Sequence, residues 1–231
     1  GTEPTECFDE RVSIDRRIVR QQAGVTMTSP LRKVLDQGSR GGVFFLHGDD
    51  EYRKEEAFRD LVDAHVDPGM RDFNLDVLRA ADTSVEDLAR ILATPPMMAD
   101  WRVVAVKDVE VFAGAARARD LILDLADSPP RDLALILSAR IPQGSKAKFY
   151  QTLKKRAQSV EFPLITLEDA PGWLMEQTQA RFGMTMEVDA AKALAQSIGV
   201  DLGILSQELE KLSGVAGEGD SITLEHVRRA G

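Results

Sequence analysis

The chain has 231 residues, 43% of them apolar, and a formal charge of −9. That suits one large globular domain or two modest ones and argues against a free-standing nucleic-acid binder, because phosphate contacts need a basic surface, although a local basic face stays open. Cys7 alone forms neither an internal disulfide nor a cysteine zinc cluster, and no apolar run nears membrane-spanning length, so a cytoplasmic protein without a membrane segment is expected.

Residues 1–26 mix acids and arginines with few core formers, and the first methionine is Met27. Translation is expected to start there, leaving 1–26 as a disordered or expression-derived stretch, with a genuine extension as the alternative. Residues 30–37 suggest a short helix. Val43, Phe44, Phe45 and Leu46 then run without polar alternation, as in a strand buried on both faces. A Gly48-Asp49-Asp50 turn leads into a helix over 51–64, with Asp49 or Asp50 placed to cap it. Alternation predicts a second strand over 73–78, and Ser84 with Asp87 three residues on predicts a capped helix over 85–93. Pro95, Pro96, Met97 and Met98 interrupt the pattern before a third strand over 101–106. A helix over 113–126, a buried strand over 133–137, a helix over 145–157 and a short strand over 159–162 follow. Five strands with helices between them predict an α/β fold with a parallel five-stranded sheet.

From Thr166 onward only helical patterns occur, over 167–182, 188–198 and 202–215, with a last helix capped by Thr223. The expected organisation is an α/β domain over 27–163 and a small all-helical domain over 164–231.

Strand, glycine turn and helix form the opening of a βαβ unit, where nucleotide-binding folds place a phosphate loop. The chemistry for that is missing. Gly48 stands alone, Asp49, Asp50 and Glu51 would repel a triphosphate, and no Gly-Lys-Ser/Thr follows. The three acids read as helix-capping groups or, alternatively, as metal ligands. His47, His65 and His226 lack ligand spacing, and Ser138 and Ser145 have no partner for a triad. No catalytic, cofactor-binding or metal site is expected.

Several stretches, taken in order, resemble the delta subunit of the bacterial DNA polymerase III clamp loader. They are Gly48 to Tyr52 with Glu55, Glu56 and Ala57 behind; Phe73-Asn74 opening the second strand; and Thr94 to Asp100 before Arg102. In the helical part they are Trp173, Gly199 to Leu202, Gln207 to Leu212 and Ile222-Thr223. The resemblance implies an AAA+-type sheet domain with a helical lid, no ATPase motif, and a role in binding and opening the ring-shaped sliding clamp. It implies as partners the clamp, ATPase and delta-prime-like subunits, and primed DNA indirectly, with no membrane. The clamp-contacting pair at the tip of the helix before the third strand falls on Met97 and Met98, preceded by Pro96. Methionine departs from the family's usual Leu or Phe but suits insertion into an apolar pocket. A third, collar domain belongs to that architecture, and the lid should be finishing at Gly231, so a chain cut before the collar is expected, with a collarless relative as the alternative.

Alternatives stay open at this level. Met97 and Met98 could be core residues at a helix end. Lys146, Lys148, Lys154, Lys155 and Arg156 form the one basic cluster, either a solvated helix face or a DNA contact. A nucleotide-dependent AAA+ ATPase with a divergent loop, or a delta-prime-like stator subunit, are the competing functions. The missing lysine and glycines and the single acid Asp108 after the third strand oppose the first, and the lack of zinc cysteines opposes the second.

Overall fold

The structure is a computed structural model that describes residues 31, 41–142, 144–217 and 221–230. The expected extension over 1–26 lies outside the described residues, as does the helix over 30–37 apart from Leu31.

Strand β1 (Gly42–His47) leads through the Gly48 turn into α1 (Glu51–His65). A 3-10 turn and the short α2 (Arg71–Asn74) precede β2 (Leu75–Arg79). Then come α3 (Val85–Leu92), β3 (Arg102–Lys107), α4 (Ala116–Asp127), β4 (Leu133–Ala139), α5 (Lys148–Arg156) and β5 (Gln158–Glu161). All strand pairings are parallel, in the order β2-β3-β4-β1-β5.

The central strands are apolar throughout because helices cover both faces. Period-two geometry sends Phe45, Val104 and Leu135 to one face, against Leu88, Ile122 and Leu153. It sends Phe44, Ala105 and Ile136 to the other, against Leu61 and Val62. The edge strand β2 is only half-buried, which accounts for its mixed composition.

The expected second strand over 73–78 is corrected at its start. Phe73 and Asn74 close a helical turn, because the Asn74 amide donates to the Met70 carbonyl four residues back at 3.1 Å. The strand begins at Leu75.

After β5 come α6 (Ala170–Phe182), α7 (Val188–Ile198), α8 (Leu202–Ala216) and α9 (Leu224–Ala230). Pro171 sits in the first turn of α6, where its missing N–H costs nothing. Trp173, Leu174, Leu194, Leu205 and Leu209 form a separate core. Among the described residues of this region, the helices are joined by one parallel bridge, between Met186 and Ile222.

Candidate functional site

The turn after β1 is closed by the protein's own groups. Gly48 has φ of 123°, and a Cβ there would drive into the Phe162 carbonyl. The Asp50 N–H donates to that carbonyl at 3.1 Å. The Asp50 carboxylate caps α1, accepting from the Arg53 amide at 3.0 Å and Arg53 Nε at 2.7 Å. Lys54, one turn into α1 and 3% exposed, directs its ammonium to Glu51 at 2.8 Å and to the Ala139 carbonyl at 3.3 Å. Arg140 reaches Glu51 from the other side at 2.9 Å. Burial acts to raise the Glu51 carboxyl, but hydrogen bonds from Lys54 and Arg140 outweigh it and hold the group below its ordinary value.

Beside this turn, among the carboxyl ends of β1, β3 and β4, lies a crevice lined by Leu46, Lys54, Glu55, Lys107 and Ser138. Its volume is about 50 Å³. Small-molecule sites run to roughly 300–1,000 Å³, so a nucleotide does not fit without rearrangement. Glu55 and Lys107 close one side with an ion pair at 2.8 Å.

Above the turn, Tyr52 bridges to the helical region. Its hydroxyl donates to Ser206 on α8, and its ring meets Trp173 edge-on at 6.0 Å. Burial raises the Glu56 carboxyl beside it.

The segment between α3 and β3 presents apolar surface outward. Met97 is 53% exposed and Met98 83%. Both lie in a loop, five or more residues beyond the end of α3, rather than at a helix tip. Met98 takes a left-handed φ of 52°, uncommon for a residue with a long side chain. These two methionines are therefore not core residues at a helix end. Pro96, just before them in the chain, is half-buried.

Asn74, which the alternation over 73–78 puts in a strand, holds this loop. Its carboxamide is fully buried, accepts from the Met97 N–H at 2.6 Å and donates to the Met97 carbonyl at 2.9 Å. On the far side of the loop Trp101 packs edge-on against His65 at 5.4 Å. Arg102 donates to the Phe73 carbonyl at 2.9 Å and pairs with Asp76.

The basic cluster is a different surface. Lys148, Lys154 and Lys155 lie exposed on α5, whose opposite face buries Phe149, Tyr150 and Leu153, and Lys146 is exposed just ahead of it. Arg156 is paired with Asp127. Helix α5 joins β4 to β5, whereas the methionine loop adjoins β2 and β3, so the fold keeps the two candidate surfaces apart.

The family described as DNA polymerase III, delta subunit, matches residues 44–163, just over half of the chain. The chain belongs to the DNA polymerase III delta subunit family. The matched segment contains the closed turn, Asn74 and the methionine loop. DNA polymerase III subunit delta of Bacillus subtilis (strain 168) is 23% identical over 203 residues, spanning 85% of this chain and 58% of that protein. The solved Bacillus subtilis DNA clamp loader delta protein (YqeN) is similar in fold, with a TM-score of 0.71 and 23% identity, over 86% of this chain and 60% of that one. The chain thus spans less than two thirds of either delta relative.

No described helix is long and apolar enough to cross a membrane.

Proposed function

We propose that this chain is the clamp-binding portion of a delta-like clamp-loader subunit, consisting of an ATPase-dead AAA+ module with a helical lid. Met97 and Met98, preceded by Pro96, insert into an apolar pocket of the ring-shaped sliding clamp and favour its open interface, so that ATPase and delta-prime-like neighbours can load the ring on primed DNA in the cytoplasm. The observation that carries this reading is a pair of exposed methionines on a loop whose backbone is fastened to a buried side chain. An apolar pair of this exposure, in a chain of this family, suits a partner's pocket, and methionine adapts its shape to one. Opening follows only to the extent that the pair prefers the open ring, since a ligand shifts an equilibrium by its differential affinity.

The test is calorimetric titration of this protein against its cognate sliding clamp, with wild type beside a Met97→Ala/Met98→Ala variant. Loss of binding in the variant supports the reading, since a few central side chains usually dominate an interface. Unchanged binding moves the interface elsewhere, and no binding by wild type removes the assignment. DNA contact by Lys146, Lys148, Lys154 and Lys155 is a secondary part of the proposal. It predicts that their replacement by Ala lowers the salt dependence of DNA association by the assembled loader.

A further inference from the structure

We infer that Asn74 is a positioning residue for partner docking, setting the backbone of the loop that presents Met97 and Met98. The inference rests on the reading that these methionines dock. Asn74 is 0% exposed, and all three of its side-chain bonds go to main chain: Nδ2 to the Met70 and Met97 carbonyls, at 3.1 and 2.9 Å, and Oδ1 from the Met97 N–H at 2.6 Å. Both amide hydrogens and the amide oxygen are used. The flipped amide would set NH₂ against N–H and oxygen against oxygen, so the bonding fixes the orientation. Two of these bonds close on one residue 23 positions away and pin both its donor and its acceptor. Aspartate lacks the two donors, and a leucine of similar size leaves the Met97 N–H and carbonyl without this partner.

The neighbouring backbone is not relaxed. Met98 sits at φ of 52°, which its own side chain disfavours, directly after the residue that Asn74 holds. Held there, the Met98 side chain is exposed rather than folded back on the sheet. Ordering a docking loop before the encounter removes that cost from association, so a residue that orders it sets affinity without touching the partner.

The experiment uses Asn74→Ala, Met98→Ala and the combined variant, each titrated against the cognate sliding clamp beside wild type and Met97→Ala/Met98→Ala. Asn74→Ala is expected to weaken binding at least about tenfold, and the combined variant to bind no more than about twofold worse than the weaker single variant. Additive losses would mean that Asn74 does not act through the methionine loop and would overturn the inference. So would Asn74→Ala binding like wild type while the methionine double variant fails to bind, an outcome that leaves the docking reading intact. Wild-type binding by the methionine double variant overturns the docking reading itself. Amide exchange on the wild-type protein gives an arm independent of any variant's folding. The Met97 N–H should be protected at least tenfold over those of Met98 and Ala99, and equal rates would overturn the inference.

Discussion

The Tyr52 hydroxyl, in the first turn of α1, donates to Ser206 Oγ on α8 at 2.8 Å across 154 residues of chain. Arg181 from α6 donates to the same hydroxyl oxygen, and Trp173 stands edge-on to the tyrosine ring. The sheet and the helical region therefore meet at the turn where a nucleotide-binding fold would carry phosphates, and they meet through side chains. Contact there does not depend on a bound ligand to bridge the two parts.

Truncating Tyr52 separates the two contributions. Tyr52→Phe removes the hydroxyl's bond to Ser206 and its interaction with Glu56 while leaving Ser206 its Arg181 donor, and should cost about 1 kcal/mol. Tyr52→Ala also removes the aromatic contact and opens a cavity against the helical core, with an expected loss of roughly 3 kcal/mol. Urea unfolding followed by tryptophan fluorescence reads both, and equal midpoints for the two variants would show that the ring contributes nothing.

Gly48 should be intolerant for a reason that Gly183 does not share. At Gly48 a side chain meets both a φ of 123° and the Phe162 backbone, which cannot yield without dragging β5. Gly183 ends α6 at φ of 66° with nothing within 4 Å. Gly48→Ala should cost more than about 2 kcal/mol or prevent soluble expression. Gly183→Asn should cost about 1 kcal/mol or less, since asparagine tolerates this conformation. Comparable unfolding midpoints for the two variants would refute the steric argument.

The central strands were legible because burial on both faces leaves an uninterrupted apolar run, as in Val43 to Leu46 and Leu133 to Leu137. Caps were legible where they are local: Ser84 accepts from the Asp87 amide at 3.1 Å and Asp50 from that of Arg53. Phe73 misled because its alternation with Leu75 imitates a strand while a side-chain bond from Asn74 to Met70 closes a helical turn. The prolines flagged the methionine loop, but its anchor lies 23 residues upstream, and no local pattern joins Asn74 to Met97. The closing of the β1 turn by Lys54 escaped for a similar reason. A lysine one turn into a helix reads as solvated surface until the fold brings the Ala139 carbonyl beside it.

Nucleotide should leave the protein unaffected. Lys54 is engaged with Glu51 and Ala139, and the adjoining crevice of about 50 Å³ is far below nucleotide size. Millimolar MgATP should shift Tm by less than about 1 °C, because stabilisation requires ligand well above its Kd. Freeing the turn with Glu51→Gln should not create binding. A saturable rise in Tm with ATP in the wild type would restore the ATPase alternative.

Acid should destabilise the fold in part through His47. Burial, reinforced by the Lys154 charge and only partly opposed by Glu161, lowers this imidazole from 6.5 to about 4. It lies on β1 with Nε2 at 3.1 Å from Ser159 Oγ. Because the folded value is the lower one, the unfolded chain takes up a proton that the folded chain refuses. Stability is therefore complete above pH 6.5, falls as pH drops towards 4, and loses no more through this group below that. The slope approaches about 1.4 kcal/mol per pH unit, on the order of 3 kcal/mol in all. Glu51 acts in a separate window: its depressed value contributes stability that is lost only as pH falls below the ordinary carboxylate range. Urea unfolding of wild type and His47→Gln at intervals from pH 7.5 to 5 isolates the histidine. The variant should decline less steeply than the wild type across that interval, since buried His65, which accepts from the Gly41 N–H, keeps its own contribution in both proteins, and parallel curves would place the acid sensitivity elsewhere.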